Sequence, residues 1–183
     1  MDARAIGLAM LAVWVGCDAN ESQAPTADED DPDCVRAQAL EIAGCPELLG
    51  ESHCSEGREH VPLLSTIDYQ ANPPHSGAHY PSATYWGLHE STVDRGTYVH
   101  NLEHGGIVFA YNCTDCNDEL RTFADLVAER PDMRILVTRD VDLPTRFAAI
   151  SWTWSWTFES VDRDALMCFI DQHEGFAPEN IAK

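Results

Sequence analysis

Apolar positions fall into readable periods only in the second half of the chain. Residues 105–111 open on Gly105-Gly106 and continue as an unbroken apolar run, which predicts a buried strand. In 118–129, Leu120, Phe123, Ala124 and Val127 recur at helical spacing, and Pro131 closes the segment. Residues 133–138 read as a second strand. Across 147–158 the pattern alternates, with Trp152, Trp154, Trp156 and Phe158 on one face and Ser151, Thr153, Ser155 and Thr157 on the other. Such a row of rings is the half-core that a helix covers, and 162–173 supplies one, with Leu166, Phe169 and Ile170 as its apolar stripe. A shorter helical stretch is expected at 35–49, broken by Gly44 and Pro46. Between 72 and 94, prolines, glycines and aromatics leave no sustained period, which inside a compact domain points to a functional loop. The predicted fold class is α+β: a mainly antiparallel sheet with helices packed on one face, stapled by disulfides.

The N-terminal third does not follow this pattern. Residues 6–15 are apolar but too short to span a bilayer, and Gly16-Cys17 follows directly, which resembles a bacterial lipoprotein signal with Cys17 as the lipidated residue. Residues 18–33 hold only acidic, small and polar side chains with proline, and cannot bury enough surface to offset their ordering entropy. The expected organisation is a signal segment at 1–17, an acidic tether at 18–33 and one globular domain at 34–183. Within that domain a Cys-rich extension at 34–60 precedes a core at 61–183. The domain is expected outside the cytosol, held to a membrane by its lipid.

Cysteine usage agrees with export. Setting Cys17 aside leaves Cys34, Cys45, Cys54, Cys113, Cys116 and Cys168, an even set suited to three disulfides. The spacing leaves the pairing open: Cys113 with Cys116 could be a local bridge, halves of two bridges or a redox dithiol, and structural bridging is favoured because four other cysteines need partners in the same compartment. The formal net charge of -20, with Lys183 the only lysine, excludes a nucleic-acid-binding surface. No protein partner is legible.

Two segments concentrate the chemistry: 72–81, with His75 and His79 in a Pro/Gly-rich turn, and 100–106, with His100, Glu103 and His104. Imidazoles a few residues apart, joined by another from elsewhere, make a metal site, and zinc or copper suits nitrogen ligands. His100, Glu103 and His104 spell H-x-x-E-H, the inverted zinc-protease pattern, but the apolar flanks 97–99 and 107–109 read as strand and place the segment at a strand end or turn. Glu103 then orients an imidazole or ligates directly, and in an enzyme it would be the general base. Ser76 lacks a nucleophile-elbow pattern, which disfavours acyl transfer at that residue. His89 and His173 are expected at the surface, while His53 and His60, flanking Cys54, read either way.

The pair NPPxSGxHY and HxLEHG is similar to the signature of an uncharacterised bacterial family, domain-of-unknown-function family 3105, over roughly residues 65–178. The resemblance implies that Asn72, Pro73, Pro74, Ser76, Gly77, His79 and Tyr80, with His100, Leu102, Glu103, His104 and Gly105, form a central site. Members usually carry threonine where this chain has His75, which favours His79, His100 and His104 as ligands. The expected function is an extracytoplasmic lipoprotein domain binding a transition metal. Alternatives are a metal-dependent hydrolase or oxidoreductase, and a non-catalytic lipoprotein that binds an envelope protein.

Overall fold

The computed structural model describes residues 33–180; Cys17 and the tether up to residue 32 lie outside the described residues. The elements are β1 (Glu51–Ser52), β2 (Gly87–Leu88), α1 (Arg95–Glu103), β3 (Ile107–Tyr111), α2 (Asn117–Glu129), β4 (Ile135–Arg139), β5 (Phe147–Ser151), β6 (Trp154–Phe158) and α3 (Arg163–His173). Six strands form one mixed sheet in the order β1-β6-β5-β3-β4-β2. The pairings from β1 through β3 are antiparallel, and β4 joins β3 and β2 in parallel. The α+β class expected from the pattern is therefore the observed one.

Alternation along the strands sorts the core into two sides. Ile107, Phe109, Ile135, Val137, Phe147 and Ala149 face α2 and α3, which contribute Phe123, Leu126, Leu166, Phe169 and Ile170. Val108, Ala110, Leu136, Ala148 and Ile150 face the opposite way, against Tyr98, Val99 and Leu102 of α1. The two longer helices thus share one face as expected, and α1 occupies the other.

Three local readings are corrected. The 147–158 run is two strands of a hairpin. Its alternation continues through Trp152 and Thr153, but Thr153 takes φ 61, so the chain reverses and Trp152 packs with the α1-side core. Residues 35–49 form no helix: Gly44 turns at φ 92, and the segment hydrogen-bonds to α3 instead, Leu40 N–H to Gln172 O at 2.9 Å and Leu49 N–H to Gln172 Oε1 at 3.0 Å. The 100–104 segment is helical. Asp94 caps α1 by accepting from Gly96 N–H at 2.8 Å, and Gly105, at φ 82, ends it.

Disulfides join Cys34 to Cys54, Cys45 to Cys168 and Cys113 to Cys116. The second ties the N-terminal extension to α3, and the third is the local bridge, closed between the end of β3 and the start of α2. Three such bonds suit an oxidising compartment. Among the described residues no helix is long and apolar enough to cross a membrane.

Candidate metal centre

Helix α1 presents His100, Glu103 and His104 on one side, because residues three and four apart lie one turn above each other. Asn101 fixes the adjoining loop by accepting from Thr84 N–H at 3.0 Å and donating to Thr84 O at 2.9 Å. Behind the helix end, Arg134 donates to His104 O at 2.6 Å and pairs with Glu174 at 3.0 Å. Gly106 allows close packing there, since a Cβ on it would fall 2.3 Å from the Trp86 ring.

The 72–81 loop closes over this face. Tyr80 N–H donates to Gly96 O at 3.0 Å, and Asn72 Oδ1 accepts from Arg95 Nη2 at 2.8 Å. An isolated bridge joins His79 to His60, with His79 N–H to Glu59 O at 2.9 Å and Val61 N–H to His79 O at 2.8 Å. Four imidazoles and a carboxylate meet as a result. His60, His79 and His100 offer ligand atoms within 4.8 Å of one another, and so do His100, Glu103 and His104. His100 is common to both groups.

Hydrogen bonding fixes which edges face inward. His79 Nδ1 donates to Gly77 O at 2.8 Å, and His100 Nδ1 donates to Tyr80 O at 2.6 Å. A neutral imidazole has one N–H, so both Nε2 atoms are bare lone pairs. His100 Nε2 lies 3.1 Å from His104 Nε2, a contact that a proton on His104 satisfies. His79 Nε2 lies 3.0 Å from Glu103 Oε2, and there two acceptors face each other. Burial pushes the His79 pKa down, against the pull of Gly77 O and Glu103, so an imidazolium is a costly way to resolve that contact. A shared cation resolves it without a proton. His104 is likewise held below its ordinary value by burial and the neighbouring His100.

The cluster is open on one side. Glu103 and His79 are fully enclosed, whereas the His60 side chain is 45% exposed and 3.6 Å from Glu103 Oε2. Glu179 stands at the rim, 3.7 Å from His104 Nε2.

Of the residues singled out from sequence, His79, His100, Glu103 and His104 come together and His75 does not. His75 is buried elsewhere, stacked on His53 at 4.4 Å. His60 is the ligand candidate that sequence reasoning left undecided, because only the bridge to His79 brings it in. The surface expectation for His89 and His173 is also corrected. His89 is buried and bonded to Tyr85 O at 2.9 Å, and His173 is buried against Phe169 and Trp154 with Nε2 bonded to Leu49 O at 2.8 Å.

Fold and site together define a disulfide-bonded α+β domain whose conspicuous chemical feature is a buried histidine–carboxylate cluster able to hold a metal ion. Residues 60–183 match the family described as Protein of unknown function (DUF3105), and the chain belongs to that family. No curated protein and no solved structure matches the chain. His60 is the first matched residue, so all five cluster residues fall within the family region.

Proposed function

We propose that this domain is the extracytoplasmic part of a lipoprotein and binds a transition-metal ion in the cluster of His60, His79, His100, Glu103 and His104, with His100 common to its two ligand groups. The observation that carries the reading is the His79–Glu103 contact. A buried imidazole committed to donating through Nδ1 turns its lone pair onto a buried carboxylate, and a cation between them satisfies both. Nitrogen and oxygen donors suit zinc or copper(II), and the six cysteines of the domain, all in disulfides, supply no thiolate. The oxidised cysteines support an extracytoplasmic location, and the sequence pattern around Cys17 supports anchoring there.

The test is elemental analysis of the oxidised, periplasmically expressed protein beside His100→Ala, which removes the ligand common to both groups, and His173→Gln, a buried histidine outside them. About one equivalent of zinc or copper in the parent and in His173→Gln, and little in His100→Ala, is the expected result. No stoichiometric metal in the parent after reconstitution with either ion refutes the reading.

The helical H-x-x-E-H face supports a second reading, a metal-dependent hydrolase with Glu103 as general base and the exposed His60 side as the substrate entrance. Metal-dependent turnover that Glu103→Gln abolishes while metal is retained would favour the enzyme over a binding protein.

A further inference from the structure

A second histidine constellation surrounds a cavity of about 600 Å3, whose lining includes Glu51, His53, Glu56, His75, Ser155 and Trp156. None of these residues belongs to the ligand groups of the metal centre. Thr153 holds its two histidines together: His53 N–H donates to Thr153 O at 2.8 Å, and Thr153 N–H donates to His75 O at 3.1 Å. The imidazoles stack at 4.4 Å with planes 6° apart. His75 is fixed in turn, its Nδ1 3.0 Å from Ser76 Oγ, which accepts from Glu56 N–H at 2.9 Å. Thr153 does this at φ 61, a left-handed conformation that a β-branched residue rarely adopts and that concentrates at functional sites.

Against this fixed pair lies a hydroxyl. Ser155 Oγ is 2.8 Å from His53 Nε2, within the reach over which a serine passes its proton to an imidazole. We propose that Ser155 and His53 are a nucleophile–base dyad that transfers the acyl group of a small ester carrying no negative charge, with His75 as a positioning residue. Glu51 and Glu56 on the cavity wall set the charge preference, because they repel anions. Burial pushes His53 below its ordinary pKa, so at neutral pH the ring is in its basic form.

The step balances without a cofactor. Ser155 Oγ bonds to the carbonyl carbon as its proton passes to His53 Nε2. The carbon–alkoxy bond then breaks, and the alcohol leaves with that proton. Water, deprotonated by His53, then bonds to the acyl carbon, the bond from that carbon to Ser155 Oγ breaks, and His53 passes the proton to Oγ as the acid leaves.

The test treats the full oxidised chain, in EDTA, with a neutral alkyl fluorophosphonate. Its phosphorus bonds to Oγ and fluoride leaves. Intact mass and peptide mapping should find one adduct at Ser155, absent from Ser155→Ala and formed at least 100-fold more slowly in His53→Gln. His75→Thr should retain the adduct at a reduced rate, and near-UV circular dichroism checks that each variant is folded. No adduct on folded parent protein, an adduct at another residue, or an unchanged rate in folded His53→Gln overturns the proposal. Chelation keeps this outcome separate from that of the metal centre.

Discussion

Lowering the pH should unfold this domain through histidines that are buried neutral, and His173 gives the measurable case. Its Nε2–H donates to Leu49 O, while Nδ1 is buried with no hydrogen-bond partner, packed among Phe169 and Trp154. Protonation would put a charge in that apolar site, and burial holds the pKa down to about 4 from 6.5. The unfolded chain takes up the proton near 6.5 and the folded chain only near 4. The contribution is therefore fully present above 6.5 and is lost as pH falls through that window. At pH 5 the difference in proton uptake amounts to about 2 kcal/mol, rising to about 3 kcal/mol below pH 4. The perturbation is His173→Gln, whose amide can still donate to Leu49 O but does not titrate. Urea unfolding of chelated parent and variant at pH 7 and pH 5 isolates the term. Between those pH values the parent should lose about 2 kcal/mol more than the variant. Equal losses would refute the assignment of His173 as a buried neutral imidazole.

Glu103→Gln should weaken metal binding about 10- to 100-fold in chelator competition. Stability of the metal-free protein should hold, because the Gln amide can donate to the lone pair of His79 Nε2. Arg95→Ala should destabilise by about 3 kcal/mol in urea unfolding, since it leaves the buried Asp140 carboxylate without the guanidinium that grips both of its oxygens at 2.9 Å. Removing Cys45–Cys168, which spans 123 residues, should cost about 5 kcal/mol by loop entropy, and removing Cys113–Cys116, which spans 3, about 2 kcal/mol. Thermal unfolding of the two double-serine variants gives the comparison.

The elements legible in the sequence are those buried on one side by apolar residues. Helices α2 and α3 and strands β3 and β4 follow their apolar positions closely. The β5–β6 hairpin escaped because its turn, Trp152-Thr153, contains no glycine, asparagine or proline and keeps the aromatic–polar alternation going. The 35–49 stretch misled in the opposite sense, since its apolar residues suit a helix but its backbone pairs with Gln172. The ligands separate in the same way. His79, His100, Glu103 and His104 announce themselves by local spacing, whereas His60 arrives through a bridge to a residue 19 positions away.

Helix α1 shows why site and element were hard to read together. Tyr98, Val99, His100, Asn101, Leu102 and Glu103 are all buried, so the helix has no solvated face and its polar residues interrupt the apolar stripe. Burial of those groups requires partners. Asn101 bonds to Thr84 and His100 to Tyr80 O, whereas Glu103 faces the bare Nε2 of His79. Each contact comes from the irregular 72–94 region, which therefore acts as the complement of α1. Once those bonds are made, the inward-facing Nε2 edges of His79 and His100 and the Glu103 carboxylate are what the helix and loop leave over. The polar pattern that hides α1 from a hydrophobic reading is thus the one that builds the site, and its groups are held in place before any ion arrives.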